Sequence, residues 1–261
     1  DTVSIMDGLA VSYSDLGETY RNLGDLTRAL KSFENSNRLS KELLRSYPES
    51  VSFKNNLAIS YSDLGEINSI LGYLNKALKY YEKVLVLSED LYRSSPDNVS
   101  LKGGLAASLS NVGEAYAGLG NLNKSLECFE KQTKLFEELY HSYPENISFK
   151  NGLTVSFSKL GETHSSLGNL SKTLEYYEKD LQLSEELYGA YPDNVSLKNG
   201  LAAAYWKLGD FHRAKQKNSQ QARHYFQLAE QHWSELVELA PGFAGFQKSL
   251  ERVKSDLADL E

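Results

Sequence analysis

Few side chains in this 261-residue chain could do chemistry, and their spacing is more telling than their types. There are five histidines, His141, His164, His212, His224 and His232, and a single cysteine, Cys128. His164 and His212 stand 48 residues apart and could in principle stack and share a metal. Their register, however, is that of Tyr20 and Tyr116, which predicts aromatic packing between helices. His224 and His232 are eight residues apart, about 12 Å along a helix and too far to share an ion. Cys128 lies beside Phe129 in an apolar stripe and reads as a small buried hydrophobe. Glycine is abundant but never forms a GxxxxGK phosphate cradle. With no nucleophile–base pair and no ligand set, the sequence predicts no catalytic residue, no metal and no cofactor. What does recur is polar. Lys54, Lys102, Lys150 and Lys198 repeat at one position, where they could take a phosphate or carboxylate, and Glu18, Glu66, Glu114, Glu162 and Asp210 repeat at another.

Composition narrows the partners. A net charge of −7 and a pI near 5.4 argue against nucleic acid, which calls for clustered Lys and Arg. No apolar run approaches the ~20 residues of a membrane span, and no basic, apolar leader is visible. A lone cysteine rules out an intramolecular disulfide and suits a reducing, cytoplasmic setting. Asn98-Val99-Ser100, Asn146-Ile147-Ser148 and Asn194-Val195-Ser196 match a glycosylation triplet but read as helix N-caps copied by the period. The chain opens Asp1-Thr2 without a Met, which reads as a segment cut from something longer.

The elements that position these residues come from a repeat. Pro48, Pro96, Pro144 and Pro192 are each 48 apart, with Pro241 after 49. Gly17, Gly65, Gly113, Gly161 and Gly209 keep the same time, as do Gly24, Gly72, Gly120 and Gly168. Glu49–Pro96 and Glu145–Pro192 share 28 identities in 48 positions. A fixed period of this length means stacked units. Within the second unit, Phe53, Leu57, Tyr61, Leu64 and Leu71 make one helical face, and Leu78, Tyr81, Leu85, Leu91 and Tyr92 make another. Ser50, Asn98, Asn146 and Asn194 should cap the first helices; Asp25, Asn121 and Asn169 should cap the second ones through their side chains. The glycines before them suit a left-handed helix end. The expected units are 1–48, 49–96, 97–144, 145–192 and a divergent 193–241, followed by a capping helix over 242–261. In the fifth unit Gln216 replaces the turn glycine, and one inserted residue delays Pro241.

These residues resemble the tetratricopeptide repeat, whose 34-residue helix-turn-helix unit carries Leu-Gly, an aromatic, a second Gly, Ala, an aromatic and Pro. The first unit matches at Tyr13, Leu16-Gly17, Tyr20, Gly24, Ala29 and Phe33, and the second at Tyr61, Leu64-Gly65, Gly72, Ala77 and Tyr81. The unit here is 14 residues longer, seven per helix and just under two turns, which keeps each buried face in phase. Longer units of this kind resemble arrays in signalling scaffolds and multidomain bacterial regulators. The resemblance implies an all-α, right-handed α-solenoid of antiparallel helix pairs with about 11 helices.

It also implies that first helices line a concave groove. Carried over residue by residue, the groove positions are Ser14, Ser62, Ser110, Ser158 and Trp206; then Asp15, Asp63, Asn111, Lys159 and Lys207; then Glu18, Glu66, Glu114, Glu162 and Asp210. Such a carboxylate ladder favours a basic partner, while its regularity also follows from duplication alone. Trp206 is either a binding anchor or packing for the altered fifth unit. The function expected is a non-catalytic protein-interaction scaffold that holds a peptide or helix. The alternative is a regulatory or sensor segment of a larger signalling effector. Val3-Ser4-Ile5 begins the first unit with no cap before it, so the N-terminal edge is a further candidate for self-association.

Overall fold

The computed structural model describes residues 2–260, and among them every regular element is helical. In order these are α1 (Thr2–Asn22), α2 (Leu26–Ser46), α3 (Val51–Ile70), α4 (Leu74–Ser94), α5 (Val99–Gly118), α6 (Leu122–Ser142), α7 (Ile147–Ser166), α8 (Leu170–Ala190), α9 (Val195–Phe211), α10 (Ser219–Leu239) and α11 (Ala244–Ala258). The chain divides into two compact units, Asp1–Leu135 and Phe136–Glu261. No helix is long and apolar enough to cross a membrane, among the described residues.

Cap chemistry starts α3, α5, α7 and α9 as expected. Ser50, Asn98, Asn146 and Asn194 have extended backbones and accept from backbone N–H groups two or three residues on. The second helices are less uniform. Asp25 accepts from the Arg28 N–H at 2.9 Å, and Asn121 from Lys124 at 3.4 Å. Asn169, expected to do the same, makes no side-chain cap; its amide instead lies 3.4 Å from His164 Nδ1. The short turn before α8 thus satisfies a buried histidine rather than the helix end. Gly24, Gly72, Gly120 and Gly168 all take φ between 75° and 79°.

A single close contact sets the distance between paired helices. A Cβ on Gly17, Gly65 or Gly113 would meet the ring of Phe33, Tyr81 or Phe129 at 2.5, 2.4 or 2.7 Å. In the second unit Gly161 meets Tyr177 at 2.4 Å and Gly209 meets Phe226 at 2.5 Å. Glycine here lets an aromatic ring lie directly on a backbone. In the first unit these rings join clusters such as Ala29, Phe33, Leu64 and Ile67, and Ala77, Tyr81, Val112 and Ala115. In the second unit the largest cluster gathers Leu201, Ala202, Tyr205, Phe226, Trp233, Leu236, Phe246 and Val253.

Lys54, Lys150 and Lys198 tie α3, α7 and α9 to the far end of their partner helices. Lys54 reaches Asp90 at 2.7 Å, Lys150 reaches Glu186 at 2.6 Å, and Lys198 pairs with Glu235. Lys150 and Lys198 also lie over the Tyr140 and Tyr188 rings, at 5.7 and 5.9 Å. They bind carboxylates of their own chain, so the phosphate or external-carboxylate role considered from sequence is replaced by a bracing one.

The fifth unit absorbs its insertion in one π-helical turn, His212–Gln216, and Lys217 takes the left-handed place of the missing glycine at φ 53°. α11 then covers α10 through Phe246 and Val253, with Leu250 and Leu257 at the margin. α1 differs from its counterparts. Leu9 and Leu16 are 44% and 41% exposed, whereas Leu57 and Leu64, one period on, are 6% and 1% exposed.

Candidate functional site

The predicted groove residues are placed by their burial and hydrogen bonds. In the first unit Ser14 Oγ donates to Asp63 Oδ2 at 2.6 Å. Burial pushes the Asp63 carboxyl up to about 6, a rise that the Ser14 bond partly offsets. Glu18 and Glu66 are exposed, and Arg21 bridges them by donating to both. Its guanidinium is held above its ordinary value, first by the Glu18 bond. Two rungs of the expected acidic ladder therefore share one cation, Arg21 of α1, which offsets half of their charge. Glu114 is exposed, while Ser62, Ser110 and Asn111 are half-buried. Ser62 and Asn111 line a cleft of about 430 Å³ between α3, α4 and α5, together with Ala58, Val84, Gly104 and Ala107.

The second unit repeats this cleft between α7, α8 and α9 at about 190 Å³. Small residues open it: Thr154 and Ser158 on α7, Gly200, Ala203 and Ala204 on α9. Here the floor carries a charge. Asp180 is 6% exposed and takes a 3.2 Å hydrogen bond from Ser184 Oγ. Its burial raises the carboxyl to about 6; Lys207 and the hydroxyls of Ser158 and Ser184 pull it the other way, and Glu162 adds to the rise. Lys207 donates to Ser158 Oγ and pairs with Glu162 Oε1 at 2.7 Å, while Lys159 stands 3.8 Å from Glu162. The same contact, Ser to a residue 49 positions on, appears in both units: Ser14 donates to Asp63, and Ser158 accepts from Lys207. A hydroxyl can serve either sign of partner, which is why serine suits this position.

Trp206 does not stand free. Its Nε1 donates to Asp256 Oδ2 at 2.7 Å, and the Arg252 guanidinium lies 3.7 Å from its ring centroid. Asp210 pairs with Arg213 at 2.7 Å, and Arg213 also reaches Asp256 at 2.7 Å. Trp206 and Asp210 thus belong to the network that seats α11 on the fifth repeat.

The histidines pack as aromatics. His164 stacks on Tyr176 with 2° between planes, and His212 on Tyr225 with 6°. No group of three His, Cys, Asp or Glu side chains is placed to hold a metal, among the described residues. Cys128 is half-buried beside Tyr116, and burial pushes its thiol up, away from nucleophilic use. Asp180 was not among the residues singled out from sequence. Its signal was there: among the five residues of this register, Ser36, Val84, Gln132, Asp180 and Ala229, it is the only charged one.

Comparison with known proteins follows the same geometry. The tetratricopeptide repeat family matches residues 9–44, 52–97 and 153–196, and a second tetratricopeptide repeat description matches 106–138, together more than half of the chain. A search of curated proteins finds no match. Among solved structures the chain is similar to BtubC (BKLC) from P. vanneervenii, with 16% identity over 90% of this chain and 92% of that one, at a TM-score of 0.59. It is also similar to a putative kinesin light chain of Podosopora anserina with nearly identical TPR-like repeats (18% identity, 84% and 95% covered, TM-score 0.56). The apo form of RapI is a third (13% identity, 97% and 84% covered, TM-score 0.62). At such identities the likeness concerns the fold alone. With the family matches falling on the helix pairs described above, this chain belongs to the tetratricopeptide repeat family of protein-interaction scaffolds.

Proposed function

We propose that the chain is a non-catalytic scaffold that holds a peptide or helix against the Ser- and Glu-lined face of its first helices. The observation that carries this reading is the cleft found twice, between α3 and α5 and again between α7 and α9. In each, small side chains leave a gap between neighbouring first helices that larger ones would fill. Ser62, Asp63, Glu66, Ser110, Asn111 and Glu114 provide polar contacts in one unit; Ser158, Lys159, Glu162, Lys207 and Asp210 do so in the other. A basic segment suits the exposed Glu66 and Glu114 and the net charge of −7. Selection of binding peptides from a random display library, followed by titration, tests the reading. Charge reversal at Glu66, Glu114 and Glu162 together should weaken the selected peptides at least about tenfold and lower the salt dependence of binding. Affinities left unchanged by all three reversals would sink the groove.

A second reading, that of a regulatory segment in a larger signalling effector, draws on α1. Ile5, Leu9 and Leu16 expose 69%, 44% and 41% of their surface along α1, and Leu23 just past its end exposes 74%. An apolar face of that kind suits a neighbouring segment or a second copy. Sedimentation of the wild type and of Leu16→Asp separates the cases, since only a second copy gives a concentration-dependent mass that the variant loses.

A further inference from the structure

The two clefts share walls and differ at the floor. Val84 and Asp180 hold the same place in the second helix, a place taken elsewhere by Ser36, Gln132 and Ala229. All five are buried to 8% exposure or less, and only Asp180 is charged. A volume of about 190 Å³ falls below the roughly 300–1,000 Å³ of sites that enclose a drug-sized ligand. It has the size for one side chain. Val155, Leu187, Leu197 and Ala203 give it apolar sides, and its polar end gathers Asp180, Ser158 and Ser184 with Lys159 and Lys207. An amphipathic guest with an aliphatic stem and a charged head matches that division.

We infer that this cleft receives a lysine or arginine side chain of a bound partner, the stem against Leu187, Leu197 and Ala203 and the cationic head on the Asp180 carboxylate. The assignment rests on the groove reading above and names the chemistry of one of its subsites. Lys159 and Lys207 also line the cleft, but both pair with Glu162 at its rim, which leaves Asp180 as the carboxylate at its floor. Lys207 also donates to Ser158. An anionic guest would instead meet Asp180 at the floor and Glu162 at the rim. Burial keeps part of the Asp180 population protonated near pH 6, against the pull of Lys207 on α9 and the hydroxyls of Ser158 on α7 and Ser184 on α8. A guest cation therefore finds its full counter-charge only above that pH.

The test uses side-chain mimics and the full chain. n-Butylguanidinium and n-butylammonium are titrated into isotope-labelled protein at about pH 7.5 and at about pH 5, with n-butanol and butyrate as controls. The expected result is saturable movement of the amide signals of Ser158, Ser184, Gly200 and Ala203 with the two cations. Butanol should bind more weakly, butyrate not at all, and the cations should lose affinity at the lower pH. Asp180→Val, which copies the second repeat, should weaken cation binding at least about tenfold. Asp180→Asn provides the same measurement with a polar isostere if the valine variant does not fold. Cation binding that survives both substitutions, or butyrate binding in its place, overturns the assignment, as does the absence of any response. The mimics need no partner, so the two readings fail separately. A silent cleft alongside peptide binding that the charge reversals still abolish removes this subsite and keeps the groove. A responsive cleft alongside peptides indifferent to those reversals does the opposite.

Discussion

Replacing Asp180 by Asn should make the protein more stable at neutral pH and leave it nearly unchanged in acid. The folded protein raises this carboxyl from 3.8 to about 6, with burial as the largest cause. At about 1.4 kcal/mol per pH unit, that rise corresponds to about 3 kcal/mol. The sign follows from proton linkage. Between about pH 4 and about pH 6 the folded state holds a proton that the unfolded state has released, so stability falls as pH rises through this window. Above it the loss is complete, and ionised Asp180 costs the fold about 3 kcal/mol relative to its protonated form. An amide has the same shape, can still accept from Ser184, and never ionises. Lys207 keeps Glu162 and Ser158 as partners in the variant. Asp63 rises by a similar amount for the same reason, but it contributes equally to both proteins and cancels in their difference. Urea denaturation of wild type and Asp180→Asn at about pH 4 and about pH 7.5 measures this difference. The variant should gain about 2–3 kcal/mol between the two pH values. A difference between the proteins that does not change with pH would show that Asp180 is already fully compensated by Lys207 and its hydroxyl donors.

Other substitutions probe the parts that hold this site in place. Gly161→Ala puts a methyl 2.4 Å from the Tyr177 ring, and overpacking should outweigh the helix-propensity gain, for a net loss of about 1–2 kcal/mol by urea denaturation. In a Tyr177→Leu background the same change should be neutral or stabilising. Lys217→Gly removes the left-handed strain at φ 53° and should raise stability by about 1 kcal/mol in the same assay. Asp256→Ala strips Trp206 and Arg213 of their shared acceptor; a loss of about 2 kcal/mol and a red shift in tryptophan emission are expected.

The period made most of the fold legible, because packing positions recur and their reasons recur with them. The left-handed glycines and the asparagine caps of the first helices follow from residue type and spacing alone. The departures were hidden for physical reasons. Asn169 has the same cap chemistry as Asn121, and only the neighbouring His164, where Tyr116 stands one period earlier, turns it to another use. The row of carboxylates looked uniformly acidic because its counter-ions lie elsewhere in sequence. Arg21 is three residues past Glu18, but Lys207 is 45 residues past Glu162, and its reach depends on two helices lying side by side. Trp206 was open to two readings until Asp256, fifty residues away, was seen to receive its N–H.

A repeat protein also offers its own internal control for function, because every position is seen in several settings of one architecture. A side chain that recurs is explained by what recurs around it, as the braced lysines are by Asp90, Glu186 and Glu235. A side chain that appears once needs another reason. At the floor of the clefts, Val84 shows that the architecture accepts a hydrocarbon there, and Ala229 shows that it tolerates one still smaller. Asp180 in the same register adds a buried charge whose net effect on folding is unfavourable above about pH 6. A binding or switching role would account for such a group where the architecture also accepts an apolar one. Asp180 is the one charged residue of a register that otherwise holds Ser36, Val84, Gln132 and Ala229, and the cation titration and the pH-dependent stability of Asp180→Asn examine that carboxylate independently.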